Sequence, residues 1–321
     1  MVNVMLNRTR IYVILLVYAA AVSLWCGSIL HAQEFPEVKE LTYTWRQYRI
    51  YYKSAGEQKR VGDETAPPLV FLHGFGASSF AWRHNLPVLA EHHKVVALDL
   101  LGSGKSDKPR VEYSPDIWVN LVNEFAQAQG YRKVKLIGNG LGGLIAAEFA
   151  LKFPDKVDKL VLVDPLGRSY QLSRGRRLLN ARLLGGPAFR LLFRKSNVTR
   201  ILKESIYSDA DKVTDEVAEG YYRPFLSPGA TDAYRRIGRE IPQWKVGDRF
   251  KDIRVPTLIV WGENDSITPV EDAVELNKLI PDSTLVTVPG AGHCPHEESP
   301  DQFNEALIRY LKRPSAVDET D

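Results

Sequence analysis

A chain of 321 residues that is 44% hydrophobic and 25% charged has globular composition and enough length for one large core or two small ones. Its 42 Lys+Arg against 39 Asp+Glu leave a net charge of +3, so no global field argues for nucleic acid as a partner. Of the two cysteines, Cys26 lies in an apolar run near the N-terminus, which leaves Cys294 alone in the body and excludes an internal disulfide.

Arg8 and Arg10 precede an uncharged apolar run of 20 residues, Ile11 to Leu30. That length can cross a bilayer as a helix. Residues 1–32 therefore read as a signal anchor or a cleaved signal peptide, and the large Leu30 three residues before a cut after Ala32 favours the anchor. The arginines on the short side keep the N-terminus cytoplasmic and export the body, which is membrane-anchored or, after cleavage, secreted or periplasmic.

Two runs rich in aromatic and β-branched residues, Leu41 to Trp45 and Tyr48 to Lys53, predict a hairpin. Beyond a charged loop, short apolar runs at Leu69 to Leu72, Val95 to Leu98, Val134 to Ile137 and Leu160 to Val163 read as strands. Helical periodicity lies between them, from about Pro115 to Gln129 and Leu141 to Lys152. The alternation stops at Asp164 and resumes with a strand at Thr257 to Trp261, a helix from Pro269 to Leu279, a strand at Thr284 to Val288 and a helix from Pro300 to Leu311. This is the pattern of an α/β fold, a mostly parallel sheet with helices on both faces. The interval 165–254 has helical periodicity and reads as a helical cap over the carboxyl ends of the strands, where such sheets bind ligands. It divides the core into 33–164 and 255–313, and residues 314–321 read as a frayed tail.

Glycines punctuate the strand exits. Lys133 to Phe149 reads as strand, sharp turn and helix, the context of a nucleophile elbow G-x-S-x-G, with Gly138 and Gly142 as the flanking glycines, Asn139 between, and Gly140 where the serine belongs. The same stretch satisfies G-x-G-x-x-G through Gly138, Gly140 and Gly143, with Asp164 ending the next strand, which is the alternative of a dinucleotide-binding oxidoreductase. Several strands precede that unit, however, whereas a dinucleotide fold opens with it. Gly102 to Ser106 imitates the end of a P-loop but has Asp99 at the required first glycine.

Four pieces in order, His73-Gly74-Phe75-Gly76, Asp99 to Asp107, the elbow, and Trp261 to Asp265 with Gly290 to His293, resemble the α/β-hydrolase superfamily, in its capped lipase, esterase, haloperoxidase and epoxide-hydrolase-like branch. The resemblance covers nearly all of Leu41 to Lys312. It implies an α/β-hydrolase fold, His293 as base, Asp265 as the acid that orients it, and an oxyanion hole from the backbone N–H groups of Phe75 and Leu141. Asp164 is the runner-up acid, and Asp265 also suits a cap for the helix after Thr268-Pro269. Ser78, Ser79 and Cys294 are poorly placed to replace the missing serine. His296 and the pair His92-His93 read as residues of solvated loops, and no histidine spacing points to a metal; no cofactor is expected.

Two functions follow from Gly140. One is a hydrolase of an ester or related carbonyl compound in which the Asp265–His293 pair activates water. The other is a catalytically silent binding protein that keeps the pocket. Arg168 to Lys203 carries ten basic residues and no acidic one, interleaved with leucines. Such a cap face is either simply solvated or touches an anionic membrane surface, which would suit a small lipophilic substrate or ligand.

Overall fold

The computed structural model describes residues 35–61, 64–166 and 194–313. The expectations for residues 1–32 and 314–321, and for most of the basic stretch, lie outside the described residues. The chain divides into Met1–Phe35 and Pro36–Asp321, and the sheet and helices belong to the second unit. Among the described residues no helix is long and apolar enough to cross a membrane.

Eight strands build the central sheet: β1 (Lys39–Trp45), β2 (Tyr48–Ala55), β3 (Leu69–Leu72), β4 (Val95–Leu98), β5 (Val134–Asn139), β6 (Val157–Val163), β7 (Thr257–Gly262) and β8 (Ser283–Val288). Their order is β1-β2-β4-β3-β5-β6-β7-β8. The hairpin β1–β2 and the pair β2–β4 are antiparallel, and all other neighbours are parallel. Every residue of β3, β4 and β7 is buried, as expected of parallel strands covered on both faces, and this is why they read as unbroken apolar runs.

The helices are α1 (Leu86–Ala90), α2 (Pro115–Ala128), α3 (Leu141–Lys152), α4 (Lys195–Ile201), α5 (Asp215–Tyr222), α6 (Ala230–Glu240), α7 (Val270–Leu279), α8 (Pro295–Glu298) and α9 (Pro300–Leu311). Trp118, Phe125, Leu144 and Leu276 pack in one large apolar cluster, while Leu86, Leu89, Phe303 and Leu307 pack in another with the opposite-facing residues of the strands. A third, smaller cluster joins the insertion to the segment after β3 through Val198, Val217 and Tyr221 against Ala77 and Ala81.

From β3 the chain steps outward to β4 and returns across β3 to β5, so the strand order reverses between β3 and β5. Loops leaving the carboxyl ends of these two strands diverge there and open the crevice in which such sheets bind ligands.

Three elements differ from the sequence expectation for a physical reason. β6 starts at Val157, not Leu160, because the charged residues that hid its start are satisfied inside the sheet: Asp158 pairs with Lys135 of β5 at 3.2 Å, and Lys159 is buried. The short helices α1 and α8 are too brief, at 5 and 4 residues, to show a helical period.

Candidate active site

β5 ends at Asn139 and α3 begins at Leu141, so Gly140 alone makes the turn, with φ 54° and ψ −112°. That left-handed backbone is costly for a residue with a side chain, and such strain concentrates at functional positions. Strand and helix approach so closely that a Cβ on Gly138 would lie 2.2 Å from the Gly142 carbonyl oxygen, and one on Gly142 would lie 2.2 Å from that of Leu72. Gly140 is different. Its Cβ would point into the site, meeting His293 Nε2 at 3.1 Å and Gly74 Cα at 3.7 Å. Packing therefore requires the outer glycines, while the middle position faces the imidazole.

The loop after β3 lies against this turn, since a Cβ on Gly74 would be 2.9 Å from Asn139 Oδ1. The His73 ring fixes that loop: its Nδ1–H donates to Gly74 O at 2.8 Å, and its Nε2 accepts the Leu100 N–H at 3.1 Å. Burial holds this imidazole below its ordinary pKa, consistent with the neutral tautomer those two bonds demand. Behind it the buried Asp99 carboxylate accepts the N–H groups of Ser79 and Lys105, each at 2.6 Å. Neither the Phe75 N–H nor the Leu141 N–H has a hydrogen-bond partner among the described residues. Leu141 opens α3, where the first N–H groups of a helix are free and carry its positive end. The Phe75 side chain is 43% exposed and packs edge-to-face on Tyr234, whose ring also meets Phe225 at 4.5 Å, so aromatic rings from the insertion approach this loop.

Asp265 follows β7 and His293 follows β8, 28 residues apart, and the parallel pairing of these strands brings their exits together. His293 Nδ1 lies 2.7 Å from Asp265 Oδ2, which makes Nδ1 the protonated nitrogen and leaves Nε2 to face Gly140. Asp265 is held in turn by Thr268 Oγ1 at 2.6 Å and by the N–H groups of Ile267 at 2.6 Å and Thr268 at 3.1 Å. Burial alone would raise this carboxyl, but His293 and these donors outweigh it and hold the group below the ordinary carboxylate value. The capping expectation for Asp265 is not met: the helix α7 starts at Val270 with Pro269 before it and no side-chain cap, and Asp265 holds only the turn at Ile267 and Thr268. Asn139 Nδ2 donates to His293 O at 3.0 Å and ties the end of β5 to the loop after β8.

Asp164, the runner-up acid, ends β6 with a positive φ of 42° and is wholly buried. Its Oδ1 accepts the Gly262 N–H at 2.9 Å, and it lies close enough to Asp265 and His293 for one atom of each to fall within 4.8 Å of the others. Burial first, and then the Asp265 charge, push its carboxyl well above 3.8. Two adjacent carboxyls are therefore driven apart, Asp265 towards the ionised and Asp164 towards the protonated form.

The expectation for His296 is corrected. It is fully buried, its ring stacked on Trp82 at 4.2 Å and against Phe303, because α8 turns inward and aromatic faces cover the imidazole. Burial drives it well below its ordinary pKa. Cys294, His296 and Glu297 also come within 4.8 Å of one another through one atom each, and among them Glu297 already accepts from Arg83 and from the Tyr221 hydroxyl. Burial, followed by the charges of Glu297 and Glu298, raises the Cys294 thiol and keeps it from ionising as a nucleophile. Ser78 caps the single turn after the β3 loop by accepting the Phe80 N–H.

Residues 67–300 match the family model described as the alpha/beta hydrolase fold, nearly three quarters of the chain. The chain belongs to the α/β-hydrolase family. This α/β hydrolase is 28% identical over 295 residues to a 2-hydroxy-6-oxo-6-(2'-aminophenyl)hexa-2,4-dienoic acid hydrolase of Metapseudomonas resinovorans, spanning 88% of this chain and 96% of the relative. It is 31% identical over 254 residues to a 2-hydroxy-6-oxo-2,4-heptadienoate hydrolase of Pseudomonas putida, spanning 76% and 87%. Among solved structures, a meta-cleavage product hydrolase from Pseudomonas fluorescens IP01 superposes with a TM-score of 0.72 at 26% identity over 84% of this chain and 97% of that one. Membership of this family leaves the dinucleotide alternative for Gly138, Gly140 and Gly143 without support.

Sequence reading did not single out Thr268 as a partner of the acid, nor Glu298, whose carboxylate accepts the Gly292 N–H beside His293. Thr268 had a local signal, three residues from the acid. The other partners of Glu298 lie about ninety residues away, and no spacing pattern announces them.

Proposed function

We propose that this α/β hydrolase cleaves an ester or related carbonyl substrate with a water molecule as nucleophile. His293 acts as general base and acid, Asp265 orients it, and the N–H groups of Phe75 and Leu141 receive the developing oxyanion. One observation carries the reading: the direction in which a serine side chain would leave Gly140 runs to His293 Nε2, 3.1 Å from the Cβ position, while Nδ1 is held by Asp265 at 2.7 Å. A water resting against Gly140 in that direction is within hydrogen-bond reach of the base. As it attacks, its proton passes to Nε2, the carbonyl oxygen gains charge opposite the two free N–H groups, and the imidazolium then protonates the leaving group. The relatives act on compounds whose names carry a 6-oxo group, so an electrophilic carbonyl is common to both readings of the substrate.

The rate follows from what is missing. Loss of a catalytic serine elsewhere costs roughly a million-fold, or about 8 kcal/mol of barrier, while an oxyanion hole and binding retain about a thousand-fold over water. Slow turnover without a covalent intermediate is the expected behaviour. Gly140 itself favours a second reading, a silent protein that binds the same ligand. Assays of the purified protein on short- and long-chain acyl esters decide between them. Slow hydrolysis that disappears in His293→Ala supports the water mechanism. No hydrolysis in the natural chain, with activity and fluorophosphonate labelling appearing only in Gly140→Ser, establishes the silent reading. An exported, membrane-anchored body whose basic insertion meets an anionic surface belongs to the same proposal for a lipophilic substrate, and lack of binding to anionic vesicles would remove that part.

A further inference from the structure

The base loop is not held by the core alone. A segment of the insertion, Ser205 to Asp209, is bonded to both halves of the Asp265–His293 pair. On the acid side, Ser266 Oγ donates to Ser205 O at 2.9 Å and Asn264 Nδ2 donates to Ser208 Oγ at 3.1 Å. On the base side, the N–H of His293 itself donates to Ile206 O at 2.8 Å. The segment packs directly on the loop, since a Cβ on Gly292 would lie 2.6 Å from Ile206 O and 2.7 Å from Ser208 N.

Glu298 closes this arrangement. It is 4% exposed, and its carboxylate bridges the two chains: Oε1 accepts the Gly292 N–H at 2.7 Å, while Oε2 accepts those of Ser208 at 2.8 Å and Asp209 at 3.2 Å. Lys212 Nζ, from the same part of the insertion, donates to the Glu298 carbonyl at 2.7 Å. A single side chain thus joins the residue before the base to the segment that holds the base's own N–H. Only a carboxylate supplies two oxygens that both accept, and bonds from N–H groups to an ionised acceptor are stronger than neutral ones.

We infer that Glu298 is a positioning residue for His293, clasping the Ser205–Asp209 strap of the insertion onto Gly292 so that docking of the insertion and alignment of the imidazole are one event. The inference rests on the reading of His293 as the base. In Glu298→Gln the amide nitrogen cannot accept, so either Gly292 or the Ser208–Asp209 pair loses its partner.

The test is made on the full chain with three readouts: ester hydrolysis, thermal unfolding, and the proton resonance of the His293 Nδ1–H that bridges to Asp265. In Glu298→Gln that resonance should shift or broaden while unfolding remains cooperative, and kcat should fall about 10- to 100-fold with KM within twofold, as expected when a reacting group is displaced by a fraction of an ångström to about one ångström. A folded Glu298→Gln protein with the resonance and kcat both unmoved overturns the inference, as does a loss of kcat that only follows the unfolded fraction. If the natural chain hydrolyses nothing, the catalytic reading fails, and the resonance alone then decides whether Glu298 positions His293. Should Glu298→Gln not fold, Glu298→Asp takes its place, keeping two accepting oxygens on a side chain one carbon too short to reach both chains, and an unmoved Nδ1 proton there overturns the inference.

Discussion

Side by side at the ends of β6 and β7, Asp164 and Asp265 have opposite environments. Asp265 faces His293, Thr268 and two backbone N–H groups, whereas Asp164 has one backbone donor and the neighbouring negative charge. Burial and Asp265 raise the Asp164 carboxyl well above 3.8. Between 3.8 and the raised folded value the native state keeps a proton that the unfolded chain has released, so stability falls as pH rises through that window. Asp164→Asn keeps the acceptor for Gly262 and removes the titration. It should therefore stabilise the protein at pH 7 by about 1–3 kcal/mol, with the gain shrinking towards pH 4, as read from urea unfolding at several pH values. Equal stability of the two proteins at pH 7 would show that Asp164 releases its proton over the same pH range folded and unfolded, and that burial and Asp265 do not raise it. The depressed Asp265 acts in the opposite direction: its contribution is present above 3.8 and is lost as pH falls through its lower folded value.

At the scale of elements, the elbow shows which features of a motif are packing and which are chemistry. The β5–α3 turn is tight because Gly138 and Gly142 let strand and helix meet at backbone contact. Gly142→Ala should be severe, since its Cβ would lie 2.2 Å from Leu72 O and 2.8 Å from His73 O with no flexible side chain to yield. A loss of about 3 kcal/mol or more is expected in denaturant unfolding. Gly140→Ser meets the His293 ring at 3.1 Å, which must give by a few tenths of an ångström, and puts a side chain on a backbone with φ 54°, so it should cost about 1–3 kcal/mol and still fold. Its kcat/KM for esters should rise by on the order of a thousand-fold or more over the natural chain. The loop after β8 is bonded to a distant element, through Glu298 and the Ser205–Asp209 strap.

At the scale of the whole molecule, the last helix is fastened to the middle of the sheet by a buried charge. Lys159 of β6 donates to the carbonyls of Leu311 at 3.1 Å, of Tyr310 at 3.4 Å and of Arg313, at the negative end of α9. Tyr310 O also accepts the Arg313 N–H at 3.1 Å, whereas the Leu311 carbonyl is one that a helix end leaves without an internal partner. Lys159→Met should cost about 2 kcal/mol by removing the donor to Leu311 O and Arg313 O, and amide exchange in α9 should accelerate before that of β3 and β4. Unchanged stability with unchanged α9 exchange would mean that water replaces the lysine at no cost. α9 also carries Phe303 and Asn304, which pack on His296 and bond Asn85, so loosening it reaches the base loop from behind.

The apolar runs, their spacing and the four glycine-bearing exits determined by themselves that this is an α/β hydrolase, because burial on both faces writes parallel strands directly into composition. Local signals also sufficed to nominate Asp265, His293, Phe75 and Leu141. Only the tertiary structure decided that His296 is interior, that Asp164 stands beside Asp265, and that Glu298 joins the insertion to the base loop. Each of these depends on which distant groups close around a polar side chain, and burial of a polar group is fixed by its partners rather than by its neighbours in sequence.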